Sequence, residues 1–298
     1  MIPTYPLLID GGLSNQLEDQ GFDLNQKLWS AKLLESEPEA IVEAHLAYLE
    51  AGARCITTAS YQATIPGFLS IGYDKVTAES LILKSVRLAE IAINRFQAND
   101  YTPIIAASIG PFGAYLADGS EYDGNYGVSD NTLSEFHEHR IKILDQSSAN
   151  ILACETIPSF QETKVLADKL KNAKTPAWVS FSCIDENHIN DGTPIEDCAE
   201  LLSNNPKVFA IGVNCTAPKH ISGLIKHLKV KSGKKKIIVY PNSGEIYQSQ
   251  SKTWRGLSGS SSLVNMVKEW LELGADIIGG CCRICPSDIN LISKLINH

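Results

Sequence analysis

No apolar stretch in this chain reaches the roughly 18 residues that a membrane-spanning helix needs. The N-terminus, MIPTYPLLIDGG, lacks the charged region and the long apolar run of a secretory signal. Positive charge is not in excess either: 26 basic residues face 34 acidic ones, for a net charge of −8. A phosphate backbone would find no basic field here, which argues against nucleic acid as a partner. The one dense basic run, Lys231 to Lys236, reads as a solvated loop ahead of a strand. No G-x-G-x-x-G follows the first apolar run, so the dinucleotide-binding form of an open α/β sheet loses weight. These absences lead to the expectation of a soluble, cytoplasmic protein with no membrane and no nucleic-acid partner.

A reducing compartment makes a disulfide framework improbable for the eight cysteines. They are then buried hydrophobes, metal ligands or reactive thiols. Hydrophobic residues make up 44% of the chain and charged residues 20%, which is ordinary globular composition and excludes disorder and collagen. A length of 298 residues is compatible with two domains at about 150 residues each. It is equally compatible with one α/β barrel, a fold that commonly takes about 250 residues or more.

The hydrophobic pattern favours the barrel. Short continuous apolar runs alternate with helix-length amphipathic stretches. The runs are Leu7–Ile9, Cys55–Thr58, Ile104–Ala107, Ile151–Cys154, Trp178–Phe181, Phe209–Val213, Ile237–Tyr240 and Asp276–Ile278. Continuous rather than alternating runs fit strands covered on both faces. Between them, Leu263, Met266, Val267, Trp270 and Leu271 repeat at helical spacing, and Val42, His45, Leu46 and Leu49 nearly do. Gly52 and Gly274 stand where helix C-caps belong. YLEAGARCI and WLELGADII both read as helix, Gly-Ala, strand, a weak internal repeat of one βα unit. Eight such units predict a single (β/α)8 TIM barrel over residues 1–298, with no linker to divide it. Two long segments interrupt the pattern, 110–130 and about Pro241 to Ser262. The first is rich in Gly, Asp and Tyr, does not fit the calcium-loop pattern, and has the length of a functional or mobile loop.

A barrel carries its active site at the C-terminal ends of its strands. Listing those ends gathers Asp10-Gly11-Gly12, Ser60-Tyr61-Gln62, Glu155-Thr156, Asn214-Cys215, Pro241-Asn242-Ser243 and Gly279-Gly280-Cys281-Cys282-Arg283. Cys215 and the pair Cys281-Cys282 come from second-neighbour strands, whose ends lie about 10 Å apart, within reach of one metal ion. Three thiolates suit tetrahedral zinc and leave its fourth position open, as catalytic zinc requires. The competing reading is that these are buried cysteines, since adjacent cysteines lack the spacing of a zinc knuckle. Cys285 is a neighbouring thiol that could be a fourth ligand or an oxidation partner. Asp10 and Glu155 read either as turn and capping residues or as a pair that binds an ammonium group. A glycosidase pair is formally compatible, but these strand ends supply no sugar-stacking aromatics. The histidines add little: His137 and His139 are two apart on a helix and do not share a face.

Taken together, the stretches IDGGLSNQLEDQG, LWSAKLL, YLEAGA, SYQATIPGF, GAYLADGSEY, CETIP, SFSC, NDGTPIEDCA, GVNCTAP, VYPNSGE, KTW and GGCCR closely resemble the homocysteine S-methyltransferases. More narrowly, they look like the branch that uses S-methylmethionine. The resemblance implies a (β/α)8 barrel with catalytic Zn2+ on Cys215, Cys281 and Cys282, through which catalysis would run. It implies an ammonium site for homocysteine at Asp10 and Glu155. Backbone groups of Gly11, Gly12, Ser60 and Tyr61 would hold the substrate carboxylate, and the 110–130 loop would shape the site of a small sulfonium methyl donor. Two alternatives share that fold: a preference for S-adenosylmethionine, and a selenocysteine-type acceptor. An alternative of another class is a zinc-free vicinal-thiol redox protein. The sequence departs from the family at Asn15, where relatives often carry Thr, and at Ile284-Cys285, where relatives usually carry two threonines.

Overall fold

The computed structural model describes residues 5–24, 28–97, 101–244, 246–248, 253–255 and 260–297. Eight parallel strands occupy the predicted places: β1 Leu7–Leu8, β2 Cys55–Thr57, β3 Ile104–Ile109, β4 Ile151–Ile157, β5 Ala177–Phe181, β6 Val208–Asn214, β7 Lys236–Tyr240 and β8 Ile277–Ile278. Each neighbours the next in chain order, and β8 pairs with β1. A parallel bridge from Ile9 to Cys55 joins β1 to β2 and closes the ring. The fold is therefore a (β/α)8 TIM barrel.

One principal helix follows each strand, from Pro38–Glu50 after β1 to Pro286–Ile296 after β8. The repeat seen in the sequence is structural. Pro38–Glu50 and Ser260–Glu272 end just before Gly52 and Gly274, whose φ values are +105° and +98°. That left-handed conformation, cheap only for glycine, turns each chain into its next strand. Part of the long segment from Pro241 to Ser262 lies outside the described residues; two short antiparallel strands within it, Ile246–Gln248 and Thr253–Arg255, pair with each other. Among the described residues, no helix is long and apolar enough to cross a membrane.

Two cores result. Between strands and helices lies a continuous aliphatic layer that includes Leu34, Ile41, Ile82, Leu152, Leu224 and Trp270. Inside the ring, Leu7, Ile9, Ala106, Ile151, Trp178, Ile238 and Ile277 fill the lumen, as expected of a packed barrel rather than a pore. Trp178 Nε1 donates to the Tyr240 hydroxyl at 3.2 Å. That bond marks the level at which the apolar plug ends and the polar mouth begins.

Candidate active site

The strand ends converge on one pocket at the C-terminal mouth. Asp10, Gly11, Gly12, Tyr61, Glu155, Cys215, Cys281 and Cys282 all line it. Ser60 does not. Its hydroxyl is taken up by Thr58 and by the Ser108 carbonyl, and its amide donates to the Thr58 carbonyl at 2.8 Å. The Gly12 amide is likewise engaged, by the Ile284 carbonyl at 2.9 Å. Of the four positions expected to hold a substrate carboxylate, Gly11 and Tyr61 keep a place on the pocket without such a bond.

The three cysteine Sγ atoms lie within 4.8 Å of one another. Cys215 and Cys282 are 3.5 Å apart. Thiolates bonded at ~2.3 Å to one tetrahedral ion sit about 3.8 Å apart, so the donor set fits such an ion. Thiol hydrogen bonds from Cys281 and Cys282 pull the Cys215 thiol well below its ordinary range. The same contacts push the thiols of Cys281 and Cys282 well above it. Without a cation one thiolate is stabilised at the expense of the other two; a divalent ion among them removes that conflict. Tyr122 completes the cluster, its hydroxyl 3.4 Å from Cys215 Sγ. Cys285 takes no part. It is the N-cap of Pro286–Ile296, with its amide donating to Asp288 Oδ2 at 3.1 Å. Cys55, Cys154 and Cys198 are core residues.

Backbone strain is concentrated at this mouth. Cys215, Thr156 and Arg283 have φ values of +47°, +59° and +65°, a conformation that is costly for any side chain and most so for β-branched Thr156. Asn214 accounts for two of the three strand ends. Its Oδ1 accepts from the Thr156 amide at 2.7 Å, and its Nδ2 donates to Thr156 Oγ1 at 2.7 Å and faces Cys281 Sγ at 3.8 Å. The register of β4 against β5 shifts between Cys154 and Ile157, and within that irregularity Glu155 turns into the mouth.

Two glycines let the β1 and β8 loops meet. A Cβ at Gly11 would lie 2.4 Å from the Ile284 carbonyl oxygen, and one at Gly280 would lie 2.1 Å from the Ile284 side chain. At Gly279 a Cβ would lie 2.2 Å from the Ile9 side chain, so both glycines ahead of the cysteine pair allow a close approach. Asn15 adds a direct tie, its Oδ1 accepting from the Arg283 amide at 2.7 Å. This departure from the family pattern braces the loop that carries Cys281 and Cys282.

The two carboxylates are held differently. Asp10 accepts from the Thr57 amide at 2.7 Å and from the Thr57 hydroxyl at 3.0 Å. Burial still drives its carboxyl well above the usual range, with the Glu155 charge adding to the rise. Glu155 accepts from the Ser108 hydroxyl and, at 3.1 Å, from the Tyr240 hydroxyl. Burial pushes it up to about 7 against those two hydrogen bonds. Two buried carboxylates without a basic partner in the same pocket are complementary to a ligand cation.

The 110–130 segment supplies what sequence reasoning did not assign. It folds as a short helix, Phe112–Leu116, and a 3-10 turn, Ser120–Tyr122. This brings Glu121 and Tyr122 onto the pocket. A buried network anchors it. Glu162 accepts from the Phe112 amide at 2.6 Å, from His137 Nε2 at 2.7 Å and from the Tyr126 hydroxyl at 2.9 Å. Arg140 donates to the Gly110 carbonyl and, at 3.2 Å, to the Tyr61 carbonyl. Burial lowers the pKa of His137, with the Glu162 hydrogen bond opposing, so it acts as a neutral Nε2–H donor. Burial brings Arg140 down to about 10, which leaves it charged at neutral pH.

The sequence matches the family model described as homocysteine S-methyltransferase over residues 7–296. It is 48% identical over 301 aligned residues to homocysteine S-methyltransferase YbgG of Bacillus subtilis, covering 98% of this chain and 95% of that one. It is 44% identical over 288 residues to the homocysteine S-methyltransferase of Escherichia coli K12, covering 95% and 93% of the two chains. The metallated form of the Escherichia coli homocysteine methyltransferase MmuM superposes with a TM-score of 0.87 at 41% identity, over 97% of this chain and 95% of that one. Matches of this extent, with the barrel and the convergent strand ends, show that the chain belongs to the homocysteine S-methyltransferase family and is an enzyme of the methyltransferase class.

Proposed function

We propose that the protein transfers a methyl group from a small sulfonium donor, S-methylmethionine, to the sulfur of homocysteine, with zinc on Cys215, Cys281 and Cys282. The observation that carries this reading is the meeting of three thiols with the carboxylates of Asp10 and Glu155, which have no basic partner on that pocket. A dithiol redox protein needs only two of those thiols and neither carboxylate.

Cys215, Cys281 and Cys282 would hold the zinc, which when bound would supply the positive charge that favours the thiolate form of an acceptor thiol. A free thiol, with a pKa near 8.5, would be mostly protonated at neutral pH. The protein's own groups do the rest. Asp10 and Glu155 pair with the homocysteine ammonium and fix the amino-acid end of the acceptor. Tyr240 and Ser108 orient Glu155 from below, and Thr57 orients Asp10. Asn214 and Asn15 hold the loops that carry the cysteines. The acceptor sulfur then attacks the donor methyl in line. One carbon–sulfur bond forms as another breaks, the electron pair stays on the donor sulfur as it becomes a thioether, and the thiol proton leaves to solvent. With S-methylmethionine both products are methionine. Positioning two small molecules in one pocket removes much of the entropic part of the barrier.

The test is methionine formation from homocysteine with either S-methylmethionine or S-adenosylmethionine. S-methylmethionine should give the higher kcat/KM. The reverse order would transfer the assignment to the S-adenosylmethionine-preferring alternative, and no methionine from either donor would overturn it.

A pH dependence follows from Glu155. Its carboxyl, raised to about 7, is neutral below that pH and ionised above it, while an amino-acid ammonium stays charged across the range. Binding of an ammonium ligand should therefore strengthen as pH rises through about 7. The ligand-free protein should show the opposite trend. Between the ordinary 4.5 and about 7 the unfolded chain holds less proton than the folded one, so stability falls as pH rises. Calorimetric titration of methionine, which has the ammonium but no thiol, should show affinity increasing by up to about tenfold from pH 6 to pH 8. A flat profile would remove Glu155 from the ammonium site.

A further inference from the structure

Two buried acceptors in the pocket have no donor among the described residues. Glu121 is 4% exposed, and its Oε2 accepts no hydrogen bond. Gln62 is also 4% exposed, and its Oε1 is likewise unpartnered. Both residues line the pocket. The orientation of the Gln62 amide is fixed, because its Nε2 donates at 2.9 Å to the Ala114 carbonyl, which can only accept. The free atom is therefore the oxygen.

The same loop positions both groups. Ala114 belongs to Phe112–Leu116, which packs on the Ser120–Tyr122 turn so tightly that a Cβ on Gly113 would sit 2.5 Å from the Glu121 amide nitrogen. The Glu121 carbonyl is held by the Ser182 hydroxyl at 3.2 Å. The next residue, Tyr122, touches Cys215. Glu121 is thus fixed beside the thiol cluster on a rigid turn: backbone groups of Gly119 and Glu121 itself hydrogen-bond its carboxyl, and Oε2 is left without a partner among the described residues. Leaving a buried acceptor unpaired is costly, so two of them in one pocket call for a ligand that brings donors. An ammonium group has three donors and no acceptor.

We propose that Glu121 and Gln62 form the binding site for the ammonium group of the methyl donor. The inference rests on the sulfonium-to-homocysteine reading and adds a second ammonium site to the one at Asp10 and Glu155. Charge bookkeeping assigns the carboxylate to the ammonium rather than to the sulfonium. The sulfonium charge disappears as the methyl leaves, so an anion against it would stabilise the reactant more than the transition state. The ammonium charge persists throughout, so pairing with it holds the donor without that penalty. Burial raises the Glu121 carboxyl to about 7, and a bound cation would bring it down. The site selects donors that carry an amino-acid head over sulfonium compounds that lack one.

Calorimetric titration of the zinc-loaded protein tests this. Glu121→Gln should weaken S-methylmethionine binding by about tenfold to 100-fold, and Gln62→Ala should weaken it in the same direction. Homocysteine binding and zinc content should stay unchanged in both variants. The amine-free sulfonium 3-(dimethylsulfonio)propionate should bind wild type and Glu121→Gln alike. Equal weakening of both sulfonium ligands would overturn the proposal by assigning the carboxylate to the sulfonium, and unchanged S-methylmethionine binding would overturn it outright. Because the readout is binding, it separates from the overall function: a wild-type protein that makes no methionine but shows the selective loss keeps this site and loses the reaction.

Discussion

Replacing Cys282 by alanine is expected to strip the protein of zinc and to slow methyl transfer by about 10²- to 10³-fold. The magnitude comes from the chemistry of the donor set. Zinc binding to a complete four-ligand protein site is worth about 10–16 kcal/mol, or roughly 2.5–4 kcal/mol per ligand. Three ligands have little to spare. The Sγ atoms of Cys215 and Cys282 are only 3.5 Å apart, so removing one breaks the cluster instead of leaving an alternative geometry. Cys285 cannot step in, since its thiol is engaged with Ser287 and Asp288 at a helix N-terminus. Elemental analysis should find one zinc per wild-type chain and far less than one in the variant, while far-UV circular dichroism stays that of the barrel. Full zinc with full activity in Cys282→Ala would remove this residue from the ligand set.

The second large effect is on stability. Glu162→Ala should cost about 3–5 kcal/mol, since it leaves three buried donors without an acceptor at about 1–3 kcal/mol each. Glu162 is fully buried, and its loss leaves the Phe112 amide, His137 and the Tyr126 hydroxyl without their acceptor. Arg140 would then lack the carboxylate charge beside it in an apolar setting. For a chain of this length, thermal unfolding should shift down by roughly 6–15 °C. Glu162→Gln, which keeps two of the acceptor contacts, should fall between. Since the network holds the 110–126 stretch and the Tyr61 carbonyl, the alanine variant should also raise the KM for the donor more than that for homocysteine. An unfolding midpoint within 2 °C of wild type, the shift about 1 kcal/mol would give, would mean that the network contributes little.

How much of this was readable beforehand divides along the range of the interactions. The barrel was legible because its signal is local and repeated: eight apolar runs, amphipathic stretches between them, and glycines at matching helix ends. Asp10, Glu155 and the three cysteines were legible because a barrel collects strand ends at one mouth, so strand position alone brings them together. Ser60 shows the limit of that rule. It follows a strand as Tyr61 does, but its hydroxyl reaches the Ser108 carbonyl and it stays off the pocket. Glu121 and Tyr122 were beyond reach for another reason. Their positions depend on the path of the 110–130 loop, which is set by Glu162, His137 and Arg140 on two later helices. Periodicity carries no trace of such contacts. Tyr240 was read as a strand residue, and only the closed ring turns its hydroxyl under Glu155. The one usable hint was the length and composition of the loop itself.

The central claim is that the sulfur of homocysteine takes its methyl group directly from a sulfonium donor at the Cys215–Cys281–Cys282 cluster. It is tested most directly by giving the zinc-loaded protein homocysteine with a carbon-13 backbone and unlabelled S-methylmethionine, and resolving the products by mass spectrometry. Labelled and unlabelled methionine should appear in equal amounts, and both should vanish when zinc is removed. Unlabelled methionine without its labelled counterpart, or labelled methionine formed equally well by the zinc-free protein, would contradict it.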